Sequence, residues 1–215
     1  MKNSLKIKRL VGIASLAAVV IVLQLIATYL PFTKLFGGTI SITLALIPIV
    51  VGAILYGPAG GAILGAVMGV MVIVDPSTLS VFMPHNPAAT IILCLLKSAA
   101  AGAVSGLLFK VLYKKNFILA VVLAAISVPI INTGLFTIGA VLFFSDIYGA
   151  QGFSAFGVII GLIWVNFLIE MAVNSILSPA VLQIVRVAAR NYNIGCTFDL
   201  EEKEIEIENT EEVLD

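Results

Sequence analysis

Charge is scarce in this sequence. Only 11% of its 215 residues are Asp, Glu, Lys or Arg, while 60% are hydrophobic. A globule that faces water carries about 25% charged residues, so the composition excludes a mainly water-facing surface. The exterior must face hydrocarbon instead. There, every backbone N–H and C=O needs an internal partner, which restricts spanning structure to helices or closed barrels. The apolar runs are long and continuous, without the period-two alternation of barrel strands, and that excludes the barrel.

Histidine and cysteine are nearly absent. The one histidine is His85, and the two cysteines, Cys94 and Cys196, have a spacing that suggests neither a metal site nor a disulfide framework. No Ser-His-Asp set, carboxylate pair, metal-ligand cluster or phosphate-binding P-loop occurs. Hydrolytic chemistry and ATP binding therefore have no motif in this chain, and neither a cofactor nor a nucleic-acid partner is expected. An ATP-driven step would need another subunit.

Acidic residues are confined rather than merely few. Nine of the twelve lie from Asp199 to Asp215, and before them come only Asp75, Asp146 and Glu170. Residues 191–215 thus read as an acidic tail, too polar to bury a core of its own and expected to be solvated and disordered. Residues 1–190 read as one membrane domain.

What the sequence has in quantity is apolar helix. A hydrocarbon core of about 30 Å takes about 20 helical residues. The first span is placed at about 10–30, ending at Pro31; its length and the missing small-residue cleavage site make it an uncleaved span rather than a signal peptide. The apolar run from Ile42 is too long for one crossing, and Tyr56-Gly57-Pro58 divides it into spans at about 40–56 and 59–74. Asp75-Pro76-Ser77 opens a loop that reaches Pro87. Further spans are placed at about 88–113, 117–144 and 155–186, with a second loop from Ser145 to Ser154. The expected fold is all-α, a bundle of six transmembrane helices.

Basic residues set the expected orientation, because cytoplasmic span ends collect Lys and Arg. With both termini inside, ten of the twelve basic residues fall on the cytoplasmic side, Lys34 falls outside and Lys97 lies within a span. An N-in/C-in topology follows, and it requires an even number of crossings.

Small residues recur four apart at Gly57, Gly61, Gly65 and Gly69, and again at Ser98, Gly102 and Gly106. Such faces let helix backbones approach in lipid, either inside the bundle or against another subunit. Ala14 and Ala18 share this spacing on the first span. Polar side chains inside spans are costly and mark an interior or a substrate path: Gln24, Lys97, Asn132, Asn166, Glu170 and Asn174. Lys97 and Glu170 fall at comparable depths. They form either a structural ion pair or part of a polar pocket between spans four, five and six, in which Lys97 attracts an anionic group and the asparagines supply directional hydrogen bonds. His85 and Asn86 sit in the loop between Pro84 and Pro87, either solvated or as a lid that touches a ligand.

Particular stretches resemble a known family. Ile42 to Pro58, with its Ile47-Pro48 and Gly57-Pro58 pairs followed by Gly61 and Gly65, resembles the second and third helices of the substrate-binding S components of energy-coupling factor (ECF) transporters. Ala14-Ser15-Leu16-Ala17-Ala18 resembles the alanine-spaced motif with which such subunits dock on a transmembrane coupling subunit, and Pro129 to Phe136 resembles a fifth-helix segment of one branch. The resemblance covers about residues 5–190.

It implies a multi-pass protein of a bacterial cell membrane that captures a vitamin or related micronutrient outside, and releases it inside when a coupling subunit and two ATPase subunits hydrolyse ATP. It also implies a ligand near the outer side of helices four to six, which makes Lys97, Asn132, Asn166 and Glu170 candidates by position, with His85 and Asn86 from the loop and Ala14 and Ala18 for docking. One Lys among several amides, with few rings, favours a small carboxylate bearing hydroxyl and amide groups, and pantothenate leads on those grounds. The rival reading is a stand-alone proton-linked transporter or small channel that uses Lys97 and Glu170.

Overall fold

The computed structural model describes residues 2–29, 34–35, 40–41, 44–149 and 164–192. Its helices are α1 (Lys2–Tyr29), α2 (Leu46–Ile73), α3 (Pro87–Leu112), α4 (Phe117–Gly149) and α5 (Trp164–Tyr192). Between α1 and α2 lies a two-residue antiparallel ladder that pairs Lys34 with Ser41 and Leu35 with Ile40. Among the described residues, five helices are long and apolar enough to cross a membrane.

The second of these is two helices joined at a reversal. Gly57 sits at φ 76° and ψ −173° and is followed by Pro58. Glycine alone adopts this backbone region without strain. The consequence shows in the packing: a Cβ built on Gly61 would lie 2.7 Å from the Cβ of Ala53, and one on Gly60 would lie 3.1 Å from the carbonyl oxygen of Gly52. Eight residues of continuous helix would hold such pairs about 12 Å apart. The two arms of α2 therefore fold back on each other, and the described residues form six long helical segments, α2 being divided where the Tyr56-Gly57-Pro58 signal predicts.

The second arm of α2 packs on α3 with almost no side chain between them. Pro58 meets Gly106, Gly61 meets Gly102, Gly65 meets Ser98, and Gly69 meets Cys94. Each step of three or four residues up one helix is a step of four down the other, so the pair is antiparallel. Lipid gives no hydrophobic drive for helices to associate, and small residues supply close van der Waals contact instead.

α4 returns along α3 after a turn at residues 113–116, where Asn116 Oδ1 accepts from the Leu119 backbone N–H at 2.9 Å. Ser105 Oγ then donates across the pair to the Ala124 carbonyl at 2.9 Å. α1 lies against α2. At one end the Arg9 guanidinium donates to the Tyr56 carbonyl, at the close of the first arm. At the other, Thr28 Oγ1 donates to Asp75 Oδ2 at 2.7 Å.

α5 buries a single stripe, Glu170, Asn174, Ser178, Val181 and Val185, whose spacing of four, four, three and four is that of one helix face. The main core collects residues from all five helices, among them Val20, Ile49, Ile54, Leu64, Ala101, Phe109, Val121, Val128, Val181 and Val185. A second, smaller cluster of Leu93, Phe144 and Ile147 carries Phe82, Ala89 and Phe136 against it. Outside, Leu10, Val11, Ile92, Leu96, Val111, Leu142, Ile176 and Val187 are exposed, as a hydrocarbon-facing surface requires.

Several boundaries differ from the sequence expectation. The loop after Asp75 contains a π-helical turn, Thr78–Phe82, in which Asp75 Oδ1 accepts from the Ser77 backbone N–H at 2.9 Å. α4 passes the expected end at 144 by way of one non-helical residue, Phe144 at φ −133° and ψ 16°. Residues 145–149, expected in the second loop, belong to α4, while residues 150–154 of that loop, the expected start of the last span at 155 and the acidic tail beyond Tyr192 lie outside the described residues.

Candidate binding site

Three helices each carry some of their buried polar groups at a common level. α3 supplies Lys97 and Ser98, α4 supplies Asn132 and Thr133, and α5 supplies Glu170 and Asn174. Exposure is 9% for Lys97, 7% for Asn132 and 3% for Glu170. On α3 the small cluster takes Ala89 and Leu93 before this level, and the main core takes Ala101 and Phe109 after it. On α4, running the other way, the main core takes Ala120 to Val128 before it and the small cluster takes Phe136, Phe144 and Ile147 after it. A polar layer thus separates the large core from a small aromatic one.

Lys97 is carried into the layer by the rigid start of α3. Pro87 opens that helix and Asn86 caps it, its Oδ1 accepting from the Ala89 backbone N–H at 3.1 Å. Ten residues of helix then place Lys97 about 15 Å in. Its Nζ stands 4.6 Å from the centroid of the Phe136 ring. The Glu170 carboxylate and the Cys94 thiol are both within electrostatic reach of it.

The remaining polar groups brace one another. Ser98 Oγ donates to Asn132 Oδ1 at 3.5 Å, linking α3 to α4. Asn174 Nδ2 donates to the Glu170 carbonyl at 2.9 Å within α5. The Asn132 amide Nδ2 donor is not part of the Ser98 bond, which uses its Oδ1. Burying such groups is costly without hydrogen bonds, and these two bonds offset part of that cost.

Of the residues singled out from sequence, Lys97, Asn132 and Glu170 come together in this layer. Asn166 lies on the α5 backbone, one turn from Glu170, and its side chain lies outside the described residues. Asn86 is occupied as a helix cap. His85 is exposed, with Nδ1 3.0 Å from the Val81 carbonyl oxygen. Asn86 stands about 16 Å along α3 from Lys97, and His85 precedes it, before the helix begins. Gln24 is buried on α1, which packs on α2. Ala14 and Ala18 are both exposed on α1.

Sequence reasoning missed two rings. Phe82, in the π-helical turn, meets Phe136 edge-to-face at 5.9 Å and Phe144 at 5.1 Å. It is Phe144, 2% exposed, that turns inward, whereas Phe143 is 54% exposed. The spacing 136, 140, 144, 147 continues the buried face of α4 at helical intervals and was the available signal. Nothing in the composition of the 75–86 loop marks Phe82.

The layer offers an ammonium, a carboxylate, amides and hydroxyls beside an aromatic wall. Such groups can pair with an acidic group and with polar hydrogen-bonding groups of a small molecule. Among the described residues no cluster of three His, Cys, Asp or Glu is placed to hold a metal. The family model described as "ECF transporter, substrate-specific component" matches residues 8–182, from α1 through the polar stripe of α5. No curated protein and no solved structure matches the chain.

Proposed function

Because the chain belongs to the family of ECF transporter substrate-specific components, a family of transport subunits and not of enzymes, we propose that it captures a small carboxylate micronutrient in the polar layer and delivers it through an ATP-driven coupling module. The observation that carries this reading is Lys97, a cation held 9% exposed between two apolar clusters. A buried ammonium at that depth is costly, and an anionic ligand with its own hydrogen-bonding groups offsets the cost. Lys97 takes the carboxylate. Asn132, with Asn166 one turn before Glu170, takes hydroxyl and amide groups, and Glu170 balances the Lys97 charge when no ligand is present. His85 and Asn86 stand at the rim. Pantothenate is the vitamin whose carboxylate, amide and hydroxyls fit this set.

Orientation follows from the basic residues. Arg186 lies over the Phe117 ring, 6.0 Å from its centroid, next to the Tyr113-Lys114-Lys115 turn, and Arg9 meets Tyr56 at the apex that packs near Gly106. Placing that end in the cytoplasm puts the aromatic cluster outside, in a bacterial plasma membrane, with the acidic tail inside. The exposed Ala14–Ala18 face of α1 docks the transmembrane coupling subunit, which brings two ATPase subunits.

The test is binding and transport measured separately. The purified chain, titrated with pantothenate and a panel of other vitamins, binds pantothenate one to one, and Lys97→Met weakens that binding at least tenfold, as loss of one charge-assisted hydrogen bond implies. In liposomes the chain alone concentrates nothing. Binding of a different vitamin would correct the substrate. Concentrative uptake by the chain alone, driven by a proton gradient and lost in Glu170→Gln, would replace this reading with a self-sufficient transporter.

A further inference from the structure

We propose that Phe136 is a positioning residue for the ligand: its ring face holds the Lys97 ammonium where the ligand's carboxylate is received, and Phe82 braces that ring from the outer turn. This rests on the reading above, which puts the acid on Lys97. The geometry is a chain of three contacts. Lys97 Nζ lies 4.6 Å from the Phe136 centroid, inside the roughly 6 Å within which a cation is drawn to the negative face of a ring. Phe136 and Phe82 meet at 5.9 Å with planes 78° apart, and Phe82 and Phe144 at 5.1 Å and 83°, the edge-to-face arrangement aromatic pairs favour. Phe144 is anchored, 2% exposed, by the kink in α4.

The contact matters because lysine is a poor fixed donor by itself. Its ammonium is a point charge on a flexible four-carbon stem, and confining that stem when a ligand arrives costs side-chain entropy. Against the Phe136 face the ammonium is already confined and partly compensated for the water it has lost. The site then receives an anion without first ordering its cation.

A second consequence concerns selectivity. The Phe136 face that looks into the layer is taken by Lys97, and Phe82 is engaged edge-to-face with both its neighbours. A flat aromatic ligand could stack on Phe136 only by evicting the ammonium that binds its acid. The arrangement thus selects acids whose carbon skeleton is aliphatic.

The experiment is a double-mutant cycle with pantothenate as the probe, read by titration calorimetry on the wild type, Lys97→Met, Phe136→Leu and the double variant, with unfolding midpoints recorded for each. Phe136→Leu is expected to weaken binding roughly tenfold, Phe136→Tyr, which keeps the ring face, to restore it, and Phe136→Leu to cost nothing further once Lys97 is Met. Wild-type affinity in Phe136→Leu, or the same loss with and without Lys97, overturns the positioning role and leaves the binding-subunit reading intact. If the wild type binds another carboxylate vitamin in place of pantothenate, the same cycle is read with that vitamin and the same outcomes decide; failure of the wild type to bind any carboxylate of the panel, or an unchanged affinity in Lys97→Met, sinks the placement of the acid on Lys97 and this inference with it. Should Phe136→Leu not be recovered folded, Phe82→Leu carries the same comparison, with a loss of about threefold expected in the wild type and none in Lys97→Met.

Discussion

Gly61 and Gly102 touch backbone to backbone, each so near the other's carbonyl group that a methyl on either would fall well inside van der Waals contact. Gly61→Ala or Gly102→Ala must therefore push α2 and α3 apart along their whole seam. Overpacking of this kind costs about 1–3 kcal/mol. The expected outcome is a lowered thermal midpoint in detergent for each variant. Exchange of the exposed Ala59 for Ser leaves the midpoint in place.

The reversal in α2 rests on one residue. Gly57 occupies a region, φ 76° with ψ −173°, that side chains strain to enter. Gly57→Ala is expected to destabilise the chain by about 1–3 kcal/mol, measured again by thermal unfolding. A midpoint equal to that of the wild type would mean the turn is held by its surroundings and not by glycine.

How much of this was legible beforehand depended on whether the signal was local. The Gly57-Pro58 turn was, because both residues act through their own backbone. The glycines four apart marked a close helix seam, but whether it lay inside the bundle or against another subunit was open until α3 was found against it. Lys97, Asn132 and Glu170 stood out because charge and amide are conspicuous among apolar neighbours. What escaped notice is tertiary. Phe82 and Phe144 resemble a dozen other hydrophobic residues until a π-helical turn and a kink bring their rings to Phe136. Asn86, read as a lid residue, carries a second signal that points elsewhere: an asparagine just before Pro87 at a helix start is a cap.

Arg9 closes the first arm of α2 by donating to the Tyr56 carbonyl. The end of a helix leaves carbonyls without partners and a partial negative charge, so a guanidinium there serves both needs. Arg9→Met is expected to lower stability by about 1.5–3 kcal/mol, the range for a hydrogen bond to a charged group, with ligand affinity unchanged. Arg9→Lys recovers part of the loss. Unfolding curves and a titration on the same samples separate the two effects.

Ala14 and Ala18 are exposed on a helix that otherwise presents bulky residues such as Leu10, Val11 and Val22 outward. A shallow site of this kind admits another helix closely. Replacing both alanines by Trp is expected to leave substrate binding by the isolated chain at wild-type level. Uptake in vesicles that also contain the coupling subunit and ATPases should fall at least tenfold. Equal uptake would move the docking surface elsewhere.

The reversal at Gly57 also bears on the lipid around the protein. Its arms of about 11 and 16 residues measure about 16 and 24 Å, short of a hydrocarbon core of about 30 Å. The apex packs at Gly106 and at Gly12, so α3 and α1 run on past it by about 9 and 15 Å. The first arm is nevertheless buried along almost its whole length, from Leu46 to Gly57, so the helices packed round it, and not the arm itself, meet the lipid. A segment too short to cross a bilayer alone is sheltered by its neighbours, and the bundle carries that shortfall inside itself without presenting it to the membrane.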